Sequence, residues 1–392
     1  MQSAAAISEH LDTRTAAIEV AGLLESAMQG PSDLVFVFAS FHHREALAEA
    51  ISDIRKTLAP KTILAITSES VIGCDLELEG IAGLSALAMS LPGVTITPWT
   101  TSPKNPLPIS KPEKIPDWIS LQDNTQAIIF FADPFSTPIT RLLPALVNCR
   151  GEEEPLPVIG GMASGASTAM YNRLILDDHE MRSGGIGLTI SGQLDFDCIV
   201  SQGCRPIGNP MRVTKVEANV ILGLGGRPAV EVLHDLAGNL GSHERSLLKG
   251  GLLLGGVIDE NKDHFGRGDF LVRSILGIDR KREGIAAGEF YRLGKTVQFH
   301  VRDAQTAVED LQLLLEAQQL DTQPFAGLLV TCNGRGRNLF HVEDHDLSII
   351  RDRIGEVPIA GFFAAGEIGP IGGRSFLHGH TACLTLFRSK HD

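Results

Sequence analysis

The chain has 392 residues, 43% of them hydrophobic and 21% charged, with a formal net charge of −13. That length suits two domains or one large fold of repeated units. The acidic balance, without a basic stripe, excludes a nucleic-acid binder, and no apolar run reaches the length of a membrane span.

Met1 to Gly30 carries Glu9, Asp12, Glu19 and Glu25 and lacks a basic start followed by an apolar core. It reads as an amphipathic N-terminal helix and not a signal peptide, which points to the cytoplasm. From there one pattern recurs three times. An apolar strand leads through a helical or polar connection to a second strand that opens into glycines or small residues, and a third apolar strand follows. In the first unit these are Leu34 to Ser40, a helix with Ala46, Leu47, Ala50, Ile51, Ile54 and Leu58 at helical spacing, Thr62 to Thr67, and Gly83 to Met89. In the second they are Ala127 to Phe131, Pro157 to Gly165 and Gly185 to Ile190. In the third they are Gly327 to Thr331, Pro358 to Phe363 and Thr381 to Phe387. First and second strands lie about 28 to 31 residues apart, the span of a strand–helix–strand unit.

A proline- and lysine-rich linker is predicted over Ser102 to Pro116. Between the second and third units the pattern changes. A strand and turn at Asp197 to Gly208, a strand pair from Met211 to Leu224 and a helix from Ala229 to Leu240 precede strands at Gly250 to Ile258, Phe270 to Leu276, Gly284 to Tyr291 and Thr296 to Arg302. A helix over Asp303 to Gln319 follows, with Asp303 as cap and Ala307, Leu311, Leu314 and Leu315 as its buried stripe. The expected fold class is therefore α/β with α+β character. Its mixed sheets have antiparallel portions, and the strand–helix–strand units fall into two domains, 31–215 and 216–392, after the N-terminal helix of residues 1–30.

Gly361 to Thr381 has the composition of a binding site, with six glycines, Glu367, Arg374 and two imidazoles in 21 residues. Glycines at that density let backbone approach a ligand or another backbone closely. Gly366 and Glu367 sit just past a strand; the carboxylate can anchor an amino group or hold the turn itself. His378 and His380 share one face if the segment is extended. With Glu367 they make three donors, but hydrogen bonding to a ligand or to the glycine loop is the preferred reading, so no metal and no cofactor is expected, and Thr381 joins the ligand contacts. Cys332 to Arg337 follows a first strand, at the carboxyl end where open α/β sheets bind ligands. There Arg335, beside Gly336, has the planar fork that grips a carboxylate. Gln202 and Cys204 flank a glycine turn, as ligand contacts or, with a neighbouring base, a nucleophile. Gly160 to Ser167 holds in the second unit the place that Gly366–Glu367 holds in the third, so the two loops are expected to face one another. Gly223 to Pro228 lacks the dinucleotide fingerprint and a Walker lysine and reads as a strand turn. Asp177 to Glu180 reads as an exposed hairpin. The six cysteines show no C-x-x-C pair, against a disulfide framework or a cysteine zinc site.

Three places together resemble the FIST family. They are Val200-Ser-Gln-Gly-Cys-Arg-Pro-Ile-Gly208, the pair Phe270 to Asp279 and Gly294 to Asp303, and the closing segment with its GFF, GE, GP, HG and T pattern. The resemblance covers about residues 31 to 390. It implies paired N- and C-terminal FIST domains that sense small molecules, amino acids or related metabolites, in signal transduction. Relatives fuse the pair to output modules; here no segment is left for one, so a signal is expected to pass through a protein partner. The protein is thus expected to bind a small ligand in a glycine-rich pocket, without a nucleic-acid or membrane partner. The alternatives are a hydrolase using Cys204 or Cys332, and a protein–protein adaptor without a ligand.

Overall fold

The computed structural model describes residues 1–318 and 321–390. The chain divides into two compact units that do not follow one another in sequence: one takes Met1–Val200, Gln312–Leu377 and Thr381 onward, the other Ser201–Leu311 and His378–His380.

The first eight residues correct the helix expected there. β1 (Gln2–Ser8) is a strand whose side chains alternate between buried and half-buried, paired antiparallel in a sheet. Its alanines favour a helix locally, and pairing in the sheet overrides that preference. The helix proper, α1 (Thr13–Ala27), starts where Asp12 accepts a hydrogen bond from the Thr15 N–H at 2.9 Å. The first repeat continues with β2 (Leu34–Ser40), α2 (Leu47–Leu58), β3 (Thr62–Ser68), a short hairpin of β4 (Val71–Gly73) and β5 (Leu76–Leu78), and β6 (Leu84–Ser90). The second has β7 (Val94–Thr101), β8 (Thr125–Ala132), α3 (Ile139–Val147), β9 (Val158–Met162), the hairpin β10 (Leu174–Leu176) and β11 (His179–Met181), and β12 (Gly185–Gly192). The third opens with β13 (Leu194–Gln202).

The other unit enters the chain at this point. β14 (Cys204–Glu217), β15 (Val220–Leu224), β16 (Arg227–Pro228), β17 (Leu252–Val257), β18 (Phe270–Asp279), β19 (Gly284–Ala287) and β20 (Thr296–Arg302) form one seven-stranded sheet. α4 (Ala229–Asn239) lays Ala229 and Val232 on Ile221, Leu224 and Ile285 of that sheet. α5 (Ala304–Gln318) follows with Asp303 at its start, where the Thr306 hydroxyl donates to Asp303 Oδ2 at 2.8 Å; the expected last residue, Gln319, lies outside the described residues. The third repeat then resumes with β21 (Ala326–Cys332), α6 (His345–Ile354), β22 (Ile359–Ala364), the hairpin β23 (Glu367–Ile371) and β24 (Arg374–His378), and β25 (Thr381–Ser389).

The three repeats share one pairing scheme. In each, the first strand runs parallel to the second, with Leu34 opposite Thr62, Ile128 opposite Val158 and Gly327 opposite Ile359. It also runs antiparallel to the strand that closes the repeat. Each repeat then gives its hairpin to another repeat's sheet. β4 pairs with β22, β10 with β3 and β23 with β9, and the result is three six-stranded sheets of matching order. Strands buried on both faces read as continuous apolar runs: all seven residues of β2 and of β3 are buried. The core has one phenylalanine from each repeat at its centre. Phe38 stacks on Phe362 with centroids 5.2 Å apart, and Phe131 meets Phe38 and Phe362 edge-on at 6.0 and 5.7 Å. No helix among the described residues is long and apolar enough to cross a membrane.

Candidate functional site

The loops that leave the first and second strands of all three repeats line one cavity of about 740 Å3. Phe41 and His42 follow β2, and Glu69 follows β3. Pro134 and Phe135 follow β8, and Ser164 and Gly165 follow β9. Asn333 follows β21, and Ala365 follows β22. Ser164 ties the three together: its hydroxyl accepts from the Glu69 N–H at 2.9 Å and donates to the Phe363 carbonyl. Phe41 and Phe135 remain 40% and 45% exposed, and the Arg44 guanidinium already lies over the Phe41 ring, 4.1 Å from its centroid. Among the described residues that line the cavity, Glu69 carries the one permanent charge, with His42, Ser167 and Asn333 as further polar groups.

Two loops singled out by sequence meet here. The Gly160 to Ser167 loop and the Gly366–Glu367 turn are hydrogen-bonded neighbours, since the Met162 N–H donates to the Gly366 carbonyl at 2.8 Å and Glu367 pairs with Gly161 across β23 and β9. Glu367 itself is fully buried, and its Oε2 accepts from the Thr381 N–H at 3.2 Å and from the Thr381 hydroxyl at 2.7 Å. It therefore joins the start of β23 to the start of β25. Gly366 brings its backbone against Leu377 and Met162. The alternation expected of His378 and His380 does not hold: His378 ends β24, and His380 takes a left-handed backbone with φ 65°, so the segment turns between them. In the other unit, the Gln202 N–H donates to Asp310 at 2.7 Å and its amide to the Phe270 carbonyl at 2.8 Å. Cys204 is buried there with Leu253, Val257 and Phe270.

Arg335 is fully buried, with its fork closed on a carboxylate of its own chain. Nε and Nη2 donate to the two oxygens of Asp346 at 2.7 and 2.8 Å. His345 and the Thr331 hydroxyl reach the same carboxylate at 3.0 and 3.2 Å. The exchanged hairpin is latched to this network. Glu77 of β5 accepts from the Leu347 N–H at 2.8 Å, and Glu79 accepts from the Arg337 N–H at 2.9 and 3.0 Å. At Gly336, φ is 57° and a Cβ would lie 2.4 Å from Glu79 Oε2, so only glycine lets that carboxylate in. Burial would raise the Asp346 carboxyl, but the Arg335 guanidinium and the His345 bond hold it well below the usual carboxylate range. Arg335 is raised in turn: Asp346 outweighs the burial that opposes its charge.

Glu77 goes the other way. Burial and the neighbouring Asp346 charge push its carboxyl up to about 8, against the Leu347 hydrogen bond. An unfolded glutamate titrates near about 4.3, so the folded state binds the proton more tightly. The stabilisation from Glu77 is complete below about pH 4.3 and is lost as the pH rises towards 8. Urea unfolding of the wild type and Glu77→Gln at pH 5 and pH 8 should show the variant losing less stability between the two. Equal losses would assign the pH dependence to another group.

Sequence reading missed His42 and Glu69. The available signal was the repeat itself, because both occupy in the first unit the strand-end positions noted in the second and third.

The architecture defines an α/β protein whose larger unit gathers three repeats around one small-molecule-sized cavity. The FIST N domain matches residues 33–227 and the FIST C domain residues 229–370. The chain belongs to the FIST family, whose domains are sensory domains of signal transduction. It is similar to Uncharacterized protein Rv0628c of Mycobacterium tuberculosis, 35% identical over 99% of this chain and 100% of the relative. Uncharacterized protein Mb0898c of Mycobacterium bovis is also 35% identical, over 96% of each chain. Among solved structures, cyanuric acid hydrolase from A. caulinodans aligns over 99% of this chain and 100% of its own, with a TM-score of 0.37 and 7% identity. A likeness that low carries no weight here.

Proposed function

We propose that this protein is a sensor that binds a small amino-acid-like metabolite in the three-repeat cavity and signals through a protein partner. The observation that carries the reading is the convergence of six strand ends on one cavity of about 740 Å3. Carboxyl ends of strands are where α/β sheets take ligands, in concave sites with a few converging polar groups. The lining chemistry supports an amine-bearing ligand. Glu69 would pair with an ammonium, and the exposed Phe135 ring of the same cavity favours a cation. Asn333, Ser167 and His42 would take the carboxylate end. Arg335 supports this reading indirectly, by fixing the turn that carries Asn333.

The test is a thermal-shift screen of the twenty amino acids and small carboxylates. A ligand at a hundred times its dissociation constant adds about 2.7 kcal/mol of stability. The expected result is a stabilising amino acid or amine whose effect is lost in folded Glu69→Gln and weakened in Asn333→Ala. No stabilising compound, or one indifferent to both substitutions, would remove the cavity from the account.

A further inference from the structure

The exchanged hairpin begins and ends at the cavity: Glu69 leads into β4, Gly80 follows β5, and both line the wall. A backbone ladder holds β4 to β22. β5 is the outer strand of that sheet, and side chains hold its free side instead. The Glu77 N–H donates to Asp344 at 2.5 Å, the Glu77 carboxyl accepts from the Leu347 N–H at 2.8 Å, and the Arg337 guanidinium donates to the Glu79 carbonyl at 2.6 Å. At the tip of the hairpin Asp75 pairs with Arg351 at 3.0 Å. The charges on this face do not balance. Glu77 is 6% exposed and meets Asp344 and Asp346 from the turn into α6 and Glu79 from its own strand, all of them carboxyls. Arg335 acts on Glu77, but two arms of its fork are engaged by Asp346, which His345 also contacts, and the Arg337 N–H is engaged by Glu79. A buried carboxyl among like charges docks as the neutral acid.

We propose that β5 is a proton-operated latch on the cavity: it docks on the turn into α6 with Glu77 neutral and leaves with Glu77 ionised, freeing the strand ends that carry Glu69 and Gly80. Two hydrogen bonds connect the latch to the cavity. The Glu69 N–H is held by Ser164 of the second repeat at 2.9 Å, and the Gly80 N–H by Ser70 at 3.0 Å. Released from the turn, Glu77 returns towards the value of an exposed glutamate, about 4.3, whereas docked it is pushed up to about 8. Docking therefore takes up a proton. It is strongest at acid pH, weakens through neutrality and levels off above about pH 8. What the latch would regulate rests on the sensor reading, but the latch itself is read without a ligand.

Hydrogen exchange of the full chain at about pH 6, 7 and 8, followed by mass spectrometry on the segments containing Glu69 and Gly80, tests it. Rates are divided by that of an unstructured amide at the same pH. In the wild type the corrected exchange of both segments should rise roughly tenfold per pH unit, the response to one proton. Glu77→Gln, which keeps a neutral group in place, should stay flat. Glu356→Gln, which removes an exposed acid beside Arg351, should keep the wild-type rise. Equal rises in the wild type and Glu77→Gln would overturn the latch. So would a rise confined to β5 that leaves Glu69 and Gly80 unchanged, or an equal rise in the wholly buried β2, which would report unfolding of the unit. The thermal-shift screen decides the sensor reading separately.

Discussion

Asp346→Ala is expected to lower the stability of the protein by about 3–5 kcal/mol, among the largest losses any single substitution here should give. The change strips the counter-charge from a guanidinium with no solvent exposure. Arg335 Nη1 already lacks a hydrogen-bond partner, so the remaining cation would keep few of its five donors engaged. The damage should spread, because Asp346 also accepts from Thr331 and contacts His345, and the neighbouring Leu347 N–H holds Glu77 of the exchanged hairpin. Replacing both partners, as Arg335→Leu with Asp346→Leu, should cost less than Asp346→Ala alone, since no buried charge is then left uncompensated. Urea unfolding of the three proteins checks the order. A loss below about 1 kcal/mol for Asp346→Ala would mean that water reaches the pair and that Arg335 is available to an external carboxylate after all.

That experiment also marks where the sequence stopped being informative. An arginine in a glycine loop after a strand has the same local signature whether its fork closes on a ligand or on its own chain. The deciding residue, Asp346, stands eleven positions on, in a charged stretch that gives no sign of facing inward. The three repeats were legible, because strands buried on both faces are written as long apolar runs and the parallel pairs recur at nearly constant spacing. The hairpin exchange was not. β4 and β5 have three residues each, too few for a period, and their partner strand β22 lies almost 300 positions away. β1 was hidden by its alanines, which favour a helix until β6 pairs with them. Of the cavity, the Gly160 to Ser167 loop and the turn after β21 were visible from their place at strand ends. His42 and Glu69 belong to no motif and emerge only when the repeat is carried back into the first unit.

Gly361→Ala is the second large effect, with an expected loss of about 3 kcal/mol or more. A Cβ at Gly361 would lie 1.7 Å from the Leu329 carbonyl oxygen and 2.6 Å from its carbon. Those are backbone atoms of β21, a strand held between β22 and β25 and unable to withdraw without breaking one of its two ladders. The second repeat has the same arrangement at the same register. Gly160 stands opposite Phe130, and its Cβ would fall 2.1 Å from the Phe130 oxygen, at a φ of 135° that L side chains rarely adopt. Gly160→Ala should therefore be at least as damaging. The first repeat has Leu64 opposite Phe36 at that step, so glycine is required by two of the three strand pairs and not by the scheme itself. Gly22→Ala supplies the contrast: it lies within α1 with nothing near its Cβ position, and it should gain about 0.5–1 kcal/mol from helix propensity. Denaturation midpoints of the three variants separate the two uses of glycine. If Gly361→Ala unfolds within about 0.5 kcal/mol of the wild type, close approach of β21 and β22 is not what the glycine serves. The density of glycine in that segment would then have to be explained by a ligand at the strand end.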